Sequence, residues 1–341
     1  MVEISLAPML DVTTANFRHL IHLISPETIL FTEMIVDSTI IHVGIDKLKD
    51  RLGKPNSKTV VQLGGSDPEK LAKSVVIVSS LGFTNFNLNC GCPSSKVQHG
   101  CFGAILMKNA KLVSKIINRI EEITGIVISI KCRIGVDEFE DFEFFDGFIN
   151  EIYCNTKCRK FYIHARKCLL NGLSPHKNRT IPPLKYNFVY NIKRKYMDAE
   201  FYLNGGIKDP IQIDTHLSNL DGFMIGRQAM NDPFVFKKFH KYLSNKNDSS
   251  SSNECDINSS EISLQERKET IMKYLKSFGS SIIISNSHTK PINNMLFGLR
   301  GNKTYKQQLN KLVQSKATIE DSLADLQSNF EEIDQLYKHK N

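Results

Sequence analysis

Short apolar runs alternate along the chain with segments whose apolar residues recur every three or four positions. The first pattern is typical of buried parallel strands and the second of amphipathic helices. Ser66-Asp67-Pro68-Glu69, for example, has the composition of a helix start, with a cap residue followed by proline in the first turn. The apolar runs predict strands at Ile4–Ala7, Ile29–Phe31, Val60–Leu63, Phe86–Asn89, Val127–Lys131, Phe161–His164, Phe201–Leu203 and Gly222–Ile225.

Eight strand–helix units indicate an α/β fold, a (β/α)8 TIM barrel, because doubly wound sheets usually have about five to seven strands. Beyond the eighth strand the pattern becomes purely helical and ends in an apolar stripe between Ile319 and Tyr337. We therefore predict a barrel domain at residues 1–243 and a small C-terminal all-α helical domain at 264–341. Residues 244–263, polar and rich in serine, are predicted to be a linker or a surface insertion.

Polar residues follow every predicted strand. In a TIM barrel these strand ends converge on the carboxyl face, where active sites are built. The sequence therefore predicts one functional site there. Its candidate residues, in strand order, are Ala7-Pro8-Met9, Glu33, Gln62 with Gly64-Gly65, Asn89 with Cys92, Lys131 with Arg133, His164 with Arg166, Asn204-Gly205-Gly206, and Gly226-Arg227.

The fourth strand has the most informative end. Strict alternation places Asn87 and Asn89 on one face and the apolar residues between and beside them on the other. A glycine and a proline then end the strand and leave Cys92 in the turn beyond it. A thiol in this position is either a reactive group, acting as an acid or a nucleophile, or a structural cysteine.

Four other strand ends admit two interpretations each. Gly205-Gly206 and Gly226-Arg227 follow strands seven and eight, where TIM barrels commonly bind phosphate, but glycine turns also simply precede helices. Lys131 is either an ion-pair partner or the group that holds an anionic ring or carbonyl. His164 is either a core histidine or a hydrogen-bond donor to a ligand.

The charge distribution points to a polyanionic partner. The 341 residues carry a formal charge of +8, and such an excess favours polyanions. Within Lys157–Lys195 there are eleven basic residues, five interleaved aromatic residues and no acidic residue. This stretch is either a solvated surface or a set of contacts to a nucleic-acid backbone beside the barrel mouth. Its basic residues are Lys157, Arg159, Lys160, Arg166, Lys167, Lys177, Arg179, Lys185, Lys193, Arg194 and Lys195.

Cysteine usage and hydropathy set the expected location. Eight cysteines without regular spacing suggest a reducing compartment, and no apolar run has the roughly 18 residues of a membrane span. We expect a cytoplasmic protein with no membrane contact. We also expect no metal site, because Cys90 and Cys92 diverge across a strand, while Cys154 and Cys158 fall in an expected helix with no histidine partner nearby.

Two sequence blocks resemble the tRNA-dihydrouridine synthases. Asn87–Met107 reads NLNCGCPSSKVQHGCFGAILM, and His164–Arg179 reads HARKCLLNGLSPHKNR. The second block resembles the A-type subfamily, which acts on the tRNA D-loop at positions 20 and 20a. The resemblance is close from Ile4 to about Val235 and loose in the helical tail. It implies an FMN-binding barrel fused to a helical tRNA-binding domain, with NADPH as reductant and tRNA as partner. We also expect the protein to be a monomer.

The resemblance also implies a role for each candidate residue. Hydride would pass from reduced FMN to carbon 6 of the uracil, and Cys92 would give its proton to carbon 5. The flavin ring would be lined by Pro8, Met9 and Leu10 and hydrogen-bonded by Gln62, Lys131 and His164. Its phosphate would be held by Asn204, Gly205, Gly206, Gly226 and Arg227. The RNA would be bound by Asn89, Arg166, Lys167, His176, Lys177 and Arg179.

The chain departs from the subfamily pattern at two places. His176-Lys177-Asn178-Arg179 replaces Lys-Glu-Asn-Arg, and Asn293 stands where the family usually has an arginine. Two other functions stay open at this stage. One is an FMN oxidoreductase acting on a small pyrimidine-like molecule, and the other is a catalytically vestigial tRNA-binding module that helps tRNA fold.

Overall fold

The computed structural model describes residues 2–94, 100–248 and 262–338. Eight parallel strands form the predicted closed TIM barrel, in which the first strand pairs with both the second and the last. A ninth, two-residue strand, β3, pairs only with β4; it is too short to show an alternation in the sequence. The strands are β1 (Glu3–Leu6), β2 (Ile29–Phe31), β3 (Ile35–Val36), β4 (Thr59–Gly64), β5 (Asn85–Cys90), β6 (Ser129–Arg133), β7 (Lys160–His164), β8 (Glu200–Asn204) and β9 (Gly222–Ile225).

Helices connect the strands and continue beyond the barrel. They are α1 (Ala15–Ile24), α2 (Asp37–His42), α3 (Ile45–Leu52), α4 (Pro68–Ser79), α5 (Ala110–Thr124), α6 (Phe142–Asn155), α7 (Tyr186–Lys195), α8 (Asp214–Leu217), α9 (Arg227–Asn231), α10 (Val235–Asp248), α11 (Leu264–Lys276), α12 (Asn286–Ile292), α13 (Asn302–Ser315) and α14 (Ile319–Lys338). None of these helices, within the residues described, is both long and apolar enough to cross a membrane.

Local chemistry explains where two of the elements begin. The Asp67 carboxylate accepts hydrogen bonds from the Glu69 and Lys70 amides, at 2.9 and 3.2 Å, and caps α4 as predicted. The fifth predicted strand begins two residues later than expected, at Ser129. Gly125 ends α5 in the left-handed conformation, and Val127 is 42% exposed, so the chain joins the sheet only after this turn.

Aromatic side chains fill the interior of the barrel. Phe31 meets Tyr162 edge-on, with ring centroids 4.8 Å apart, and Tyr162 stacks on Tyr202 at 4.5 Å. Below them, at the amino ends of the strands, Glu3 accepts hydrogen bonds of 2.7 Å from both Lys160 Nζ and the Tyr162 hydroxyl. The inner layer is therefore a packed core, and the carboxyl ends carry the remaining inward side chains.

The chain divides into two compact units. One comprises the chain up to Ala15 together with Thr28–Gly226, and the other comprises Asn16–Glu27 and everything from Arg227 onward. Most of α1 therefore belongs to the second unit, because its buried Leu20 and Ile24 share an apolar cluster with the C-terminal helices. Sequence periodicity groups each helix with the strands next to it in the chain, so it does not show that α1 packs with the C-terminal helices. The predicted domain limits at 243 and 263 stay predictions, and residues 249–261 of the predicted linker lie outside the described residues.

Candidate active site

The barrel brings five predicted residues to inward positions at the carboxyl ends of neighbouring strands. Asn89 on β5 is in register with Lys131 on β6. His164 on β7 is in register with Asn204 on β8. Gln62 on β4 reaches the same group, since its side-chain oxygen accepts a hydrogen bond from Asn89 Nδ2 at 2.8 Å. The alternation of β5 is as predicted, because Phe86, Leu88 and Cys90 are buried on the opposite face.

A chain of buried amides organises one side of this mouth. Asn87 Nδ2 donates to Ser129 Oγ at 2.9 Å, and Gln62 Nε2 donates to Asn87 Oδ1 at 2.9 Å. Asn89 Nδ2 then donates to Gln62 Oε1. Because each buried amide has a partner, the three side chains hold one orientation. The sequence shows three polar positions on the inward face but not that they are linked.

Cys92 lies in a turn that Asn89 closes. Asn89 Oδ1 accepts hydrogen bonds from the backbone amides of Gly91 and Cys92, at 3.0 and 2.9 Å. The Cys92 carbonyl accepts from the Ala104 amide at 3.0 Å, and its side chain is half-buried. The thiol is therefore held just beyond β5, as predicted. Residues 95–99, within the sequence block that carries the resemblance, lie outside the described part of the chain.

Arg133 is a site residue to which the sequence assigned no role. Its side chain is only 3% exposed and donates to three backbone carbonyls: Gly91 at 2.9 Å, and Lys167 and Asn178 at 3.0 Å each. A guanidinium can do this because it presents five donors in a rigid plane. Arg133 thus joins the turn that carries Cys92 to the segment after β7. The sequence feature that could have indicated this role is the position of an arginine at the inward-facing end of a strand.

Lys131 and His164 lie in a strongly positive environment. Lys131 Nζ donates to Asn204 Oδ1 at 3.3 Å, and burial together with the nearby Arg133 lowers the pKa of Lys131 to about 8. Burial, followed by the charges of Arg133 and Lys131, holds the pKa of His164 well below its usual value, so the imidazole is neutral at pH 7. Among the residues that the structure describes, no carboxylate pairs with any of these three side chains.

The two glycine turns after β8 and β9 leave two backbone amides available for a ligand. Gly205 and Gly206 adopt φ angles of +116° and +83°, which favour glycine. A Cβ on Gly205 would lie 2.8 Å from His164 Cδ2, so a side chain there would collide with the ring. Neither Gly206 nor Gly226 uses its amide in a hydrogen bond to another described residue. Free amides beside a positive mouth fit a bound phosphate.

The remaining predicted cofactor residues are Arg227, at the start of α9, and three residues in the loop after β1. Pro8 and Met9 are half-buried and Leu10 is 67% exposed. The loop is tied down where the Asp11 amide donates to Glu33 Oε1 at 2.6 Å, with Asp11 in the left-handed conformation. Arg227 begins α9, is exposed, and belongs to the second compact unit.

Asn178 shapes the predicted RNA-binding segment. This buried amide accepts from the Leu169 amide at 2.8 Å and donates to the carbonyls of Leu169 and Leu173, at 2.9 and 3.1 Å. Its neighbours His176, Lys177 and Arg179 are exposed. The predicted residues nearer to β7 are half-buried: Arg166 donates to the carbonyls of Thr180 and Pro182, and Lys167 forms an ion pair with Glu140.

The acid-free stretch of sequence is not an acid-free surface. Six of its eleven basic side chains form ion pairs with carboxylates from elsewhere in the chain, so only part of the stretch contributes free positive charge. The pairs are Lys157 with Glu121, Arg159 with Asp198, Lys160 with Glu3, Lys167 with Glu140, Lys193 with Asp221, and Lys195 with Asp146. The interleaved aromatic residues pack inward as well: Phe188 stacks on Phe145, and Tyr190 binds His216.

Two other cysteines, Cys132 and Cys158, are buried outside the candidate active site. Burial raises the pKa of Cys132 and Cys158 to about 12 each. Cys158 lies beyond the end of α6 and not within that helix, which differs from the prediction. No cluster of three or more histidine, cysteine, aspartate or glutamate side chains suited to a metal ion occurs within 2–94, 100–248 and 262–338.

Comparison with known proteins agrees with this geometry. The family model described as Dihydrouridine synthase matches residues 5–332. A protein named tRNA-dihydrouridine(20/20a) synthase from Escherichia coli O6:H1 is 42% identical over 231 residues, which cover 68% of this chain and 69% of that protein. Proteins of the same name from Shewanella oneidensis and Haemophilus ducreyi are 40% and 41% identical over 239 and 244 residues, covering 70% and 71% of this chain and 70% and 74% of theirs. The chain belongs to the dihydrouridine synthase family.

Proposed function

We propose that this protein is a flavin-dependent tRNA-dihydrouridine synthase that reduces uridine to 5,6-dihydrouridine at positions 20 and 20a of the D-loop, with NADPH as reductant. Family membership and the names of the relatives support the reaction and the substrate. The observation that carries the proposal is the fixed turn of Cys92, which Asn89 holds beside the inward-facing Lys131.

The mouth suits FMN on two grounds. Lys131 and His164 provide a cation and a neutral imidazole for the ring, and Gln62 lies in the same group. The amides of Gly206 and Gly226 are available for the phosphate, with Asn204 and Gly205 beside them and Arg227 next in the chain. Pro8, Met9 and Leu10 would line the ring. When bound and reduced, FMN supplies the hydride that carbon 6 of the uracil accepts.

Cys92 then completes the reduction. Its Sγ–H bond breaks, the proton passes to carbon 5, and the thiolate regains a proton from solvent. A thiol is a suitable general acid because an ordinary cysteine, with a pKa of about 8.5, is mostly protonated at neutral pH. Asn89 would hydrogen-bond the uracil edge after the base has been extruded, a step that costs a few kcal/mol.

The basic residues after β7 would hold the RNA backbone. His176, Lys177 and Arg179 are exposed on the segment that Asn178 fixes, and Arg166 and Lys167 lie closer to the mouth. We further propose that the enzyme acts in the cytoplasm as a monomer. The proposed domain limits are 1–243 for the barrel, 244–263 for the linker and 264–341 for a helical domain that also binds tRNA.

The test is incubation of the purified protein with NADPH and unmodified tRNA, with dihydrouridine mapped by mass spectrometry. We expect dihydrouridine at positions 20 and 20a. In Cys92→Ala we expect FMN to be retained and the rate to fall by roughly 100-fold or more, the usual contribution of a general acid. Cys154→Ala, which removes an exposed thiol on α6, is the matched control and should keep the wild-type rate.

Three outcomes would contradict the proposal. A wild-type rate in Cys92→Ala would remove the proton-donor role. A yellow protein that oxidises NADPH but leaves tRNA unchanged would indicate a small pyrimidine-like substrate. A colourless protein that binds tRNA would indicate a binding module.

A further inference from the structure

We propose that Tyr186 is a positioning residue for the phosphate of the flavin, acting through the peptide bond between Gly205 and Gly206. This inference rests on the proposed function, because it concerns the same cofactor site. Tyr186 is one of the aromatic residues interleaved with the basic residues of Lys157–Lys195, and its place in the sequence alone suggests a ring that stacks on RNA bases.

The hydrogen bond of Tyr186 determines which way this peptide faces. Its hydroxyl donates to the Gly205 carbonyl at 3.0 Å. In a trans peptide the carbonyl oxygen and the next amide hydrogen point in opposite directions, and the described chain contains no cis peptide bond. With the Gly205 carbonyl held by Tyr186, the Gly206 N–H therefore points away from Tyr186 and keeps its donor for a ligand.

Glycine makes this contact possible. The Tyr186 hydroxyl occupies the space that a Cβ on Gly206 would need, and Leu184 fills the neighbouring space, with its Cδ1 at 2.8 Å from the same position. Both glycines have positive φ angles and therefore many accessible conformations when unsupported. The hydroxyl selects one of them, so the phosphate meets an amide that is already oriented.

The Tyr186 ring is itself held in place. It packs edge-on against the ring of His216, with centroids 4.8 Å apart and planes at 69°. His216 is only 6% exposed, and its Nδ1 forms a hydrogen bond with the hydroxyl of Tyr190, which lies one turn later on α7. Replacing Tyr186 with phenylalanine keeps this ring packing and removes only the hydroxyl.

The experiment compares FMN with riboflavin, which has the same ring system without the phosphate. The flavin-free full-length protein is titrated with each ligand by fluorescence quenching, for the wild type, Tyr186→Phe and Tyr153→Phe. We expect Tyr186→Phe to bind FMN roughly three- to tenfold more weakly, the usual effect of one hydrogen bond, and riboflavin within twofold of the wild type. Tyr153→Phe is the control, because it removes a tyrosine hydroxyl that donates to Asp198 and not to Gly205.

The wild-type result separates this inference from the proposed function. If the wild type does not prefer FMN to riboflavin, the proposed phosphate site is wrong and the role of Tyr186 is wrong with it. If the wild type prefers FMN and Tyr186→Phe keeps the same preference, only the inference about Tyr186 is overturned. Equal weakening of both ligands in Tyr186→Phe also overturns it, because that result indicates a general structural role.

Discussion

Charged side chains are balanced by opposite charges at the amino end of the barrel interior and by no described carboxylate at its carboxyl end, although β7 and β8 contribute to both ends. At the amino end, Lys160 pairs with Glu3 at 2.7 Å and with Glu200 at 3.6 Å. The hydroxyls of Tyr162 and Tyr202 donate to the same two carboxylates. Charges at this end compensate one another, as expected where the groups serve stability.

At the carboxyl end, Lys131 donates to an amide oxygen and Arg133 to backbone carbonyls, and the positive charges of both lower the pKa of His164. No described carboxylate neutralises them. Burying a cation without a counterion costs free energy that the fold must supply elsewhere. The carboxyl end therefore holds positive charge that no described carboxylate balances, which fits the anionic cofactor and the RNA of the proposed function.

The largest expected difference between the two ends is in activity. Lys131→Met should lower the rate of tRNA reduction by roughly 100-fold, since removing one preorganised donor from an active site has an effect of this order. Lys160→Met removes the matching lysine at the amino end and should keep the rate within about twofold while lowering the melting temperature. Steady-state assays and thermal melts on both variants check this. Equal losses of rate would show that the two ends do not differ in function.

Arg133→Met should mainly reduce stability. One buried and two part-buried carbonyls lose their donor, and leaving a buried group unsatisfied costs about 1–3 kcal/mol, less where water reaches it. We expect the free energy of unfolding, measured by urea denaturation, to fall by roughly 2–4 kcal/mol.

Arg133→Lys sharpens this test because it keeps the charge and loses the planar fork. It should recover less than half of the loss. Full recovery would mean that the charge of Arg133, and not its three hydrogen bonds, stabilises the mouth.

The pH dependence should reflect Lys131. Its pKa of about 8 lies below the usual 10.5, so the ammonium form prevails at pH 7 and is lost as the pH rises through 8. Because a negative ligand needs the charged form, the affinity of the flavin-free protein for FMN should decline above about pH 8. In Lys131→Arg, which stays charged, this decline should disappear. An unchanged pH profile in that variant would assign the decline to another group.

The smallest effect is expected on the surface. Arg179→Ala should weaken tRNA binding about three- to tenfold and reduce the slope of log affinity against log salt by about 1, without changing NADPH oxidation by oxygen. Lys195→Ala is the control, because that lysine pairs with Asp146 at 2.6 Å. Filter-binding titrations at several salt concentrations measure both. Identical salt slopes for the two variants would show that Arg179 is only part of a solvated surface.

Much of the barrel could be predicted because its signals are local. Alternation along β5 placed Asn87 and Asn89 inward, and the strand ends placed Lys131 and His164 at the mouth. Asn178 bonds within its own loop, to Leu169 and Leu173, and no periodic pattern in the sequence reveals those contacts. The hydrogen bonds of Arg133 and Tyr186 could not be predicted, since each donates to a backbone carbonyl of a segment that the tertiary fold brings close. The charge of the basic stretch was overestimated for the same reason: the partners of Lys160 and Lys195 lie 157 and 49 residues away.

The linked amides of β4 and β5 have a fixed polarity. Asn89 Oδ1 already receives two backbone hydrogens, and one hydrogen of Asn89 Nδ2 goes to Gln62, so only the second hydrogen stays uncommitted among the residues described. Reversing the amide would set Nδ2 against the two backbone amides and Oδ1 against Gln62 Oε1, so the arrangement resists reversal. Asn89 can therefore offer an incoming base a hydrogen but no lone pair. In the complex proposed above, Asn89 would donate to a base edge that presents a carbonyl oxygen and oppose one that presents an amino group, which is the difference between uracil and cytosine at carbon 4.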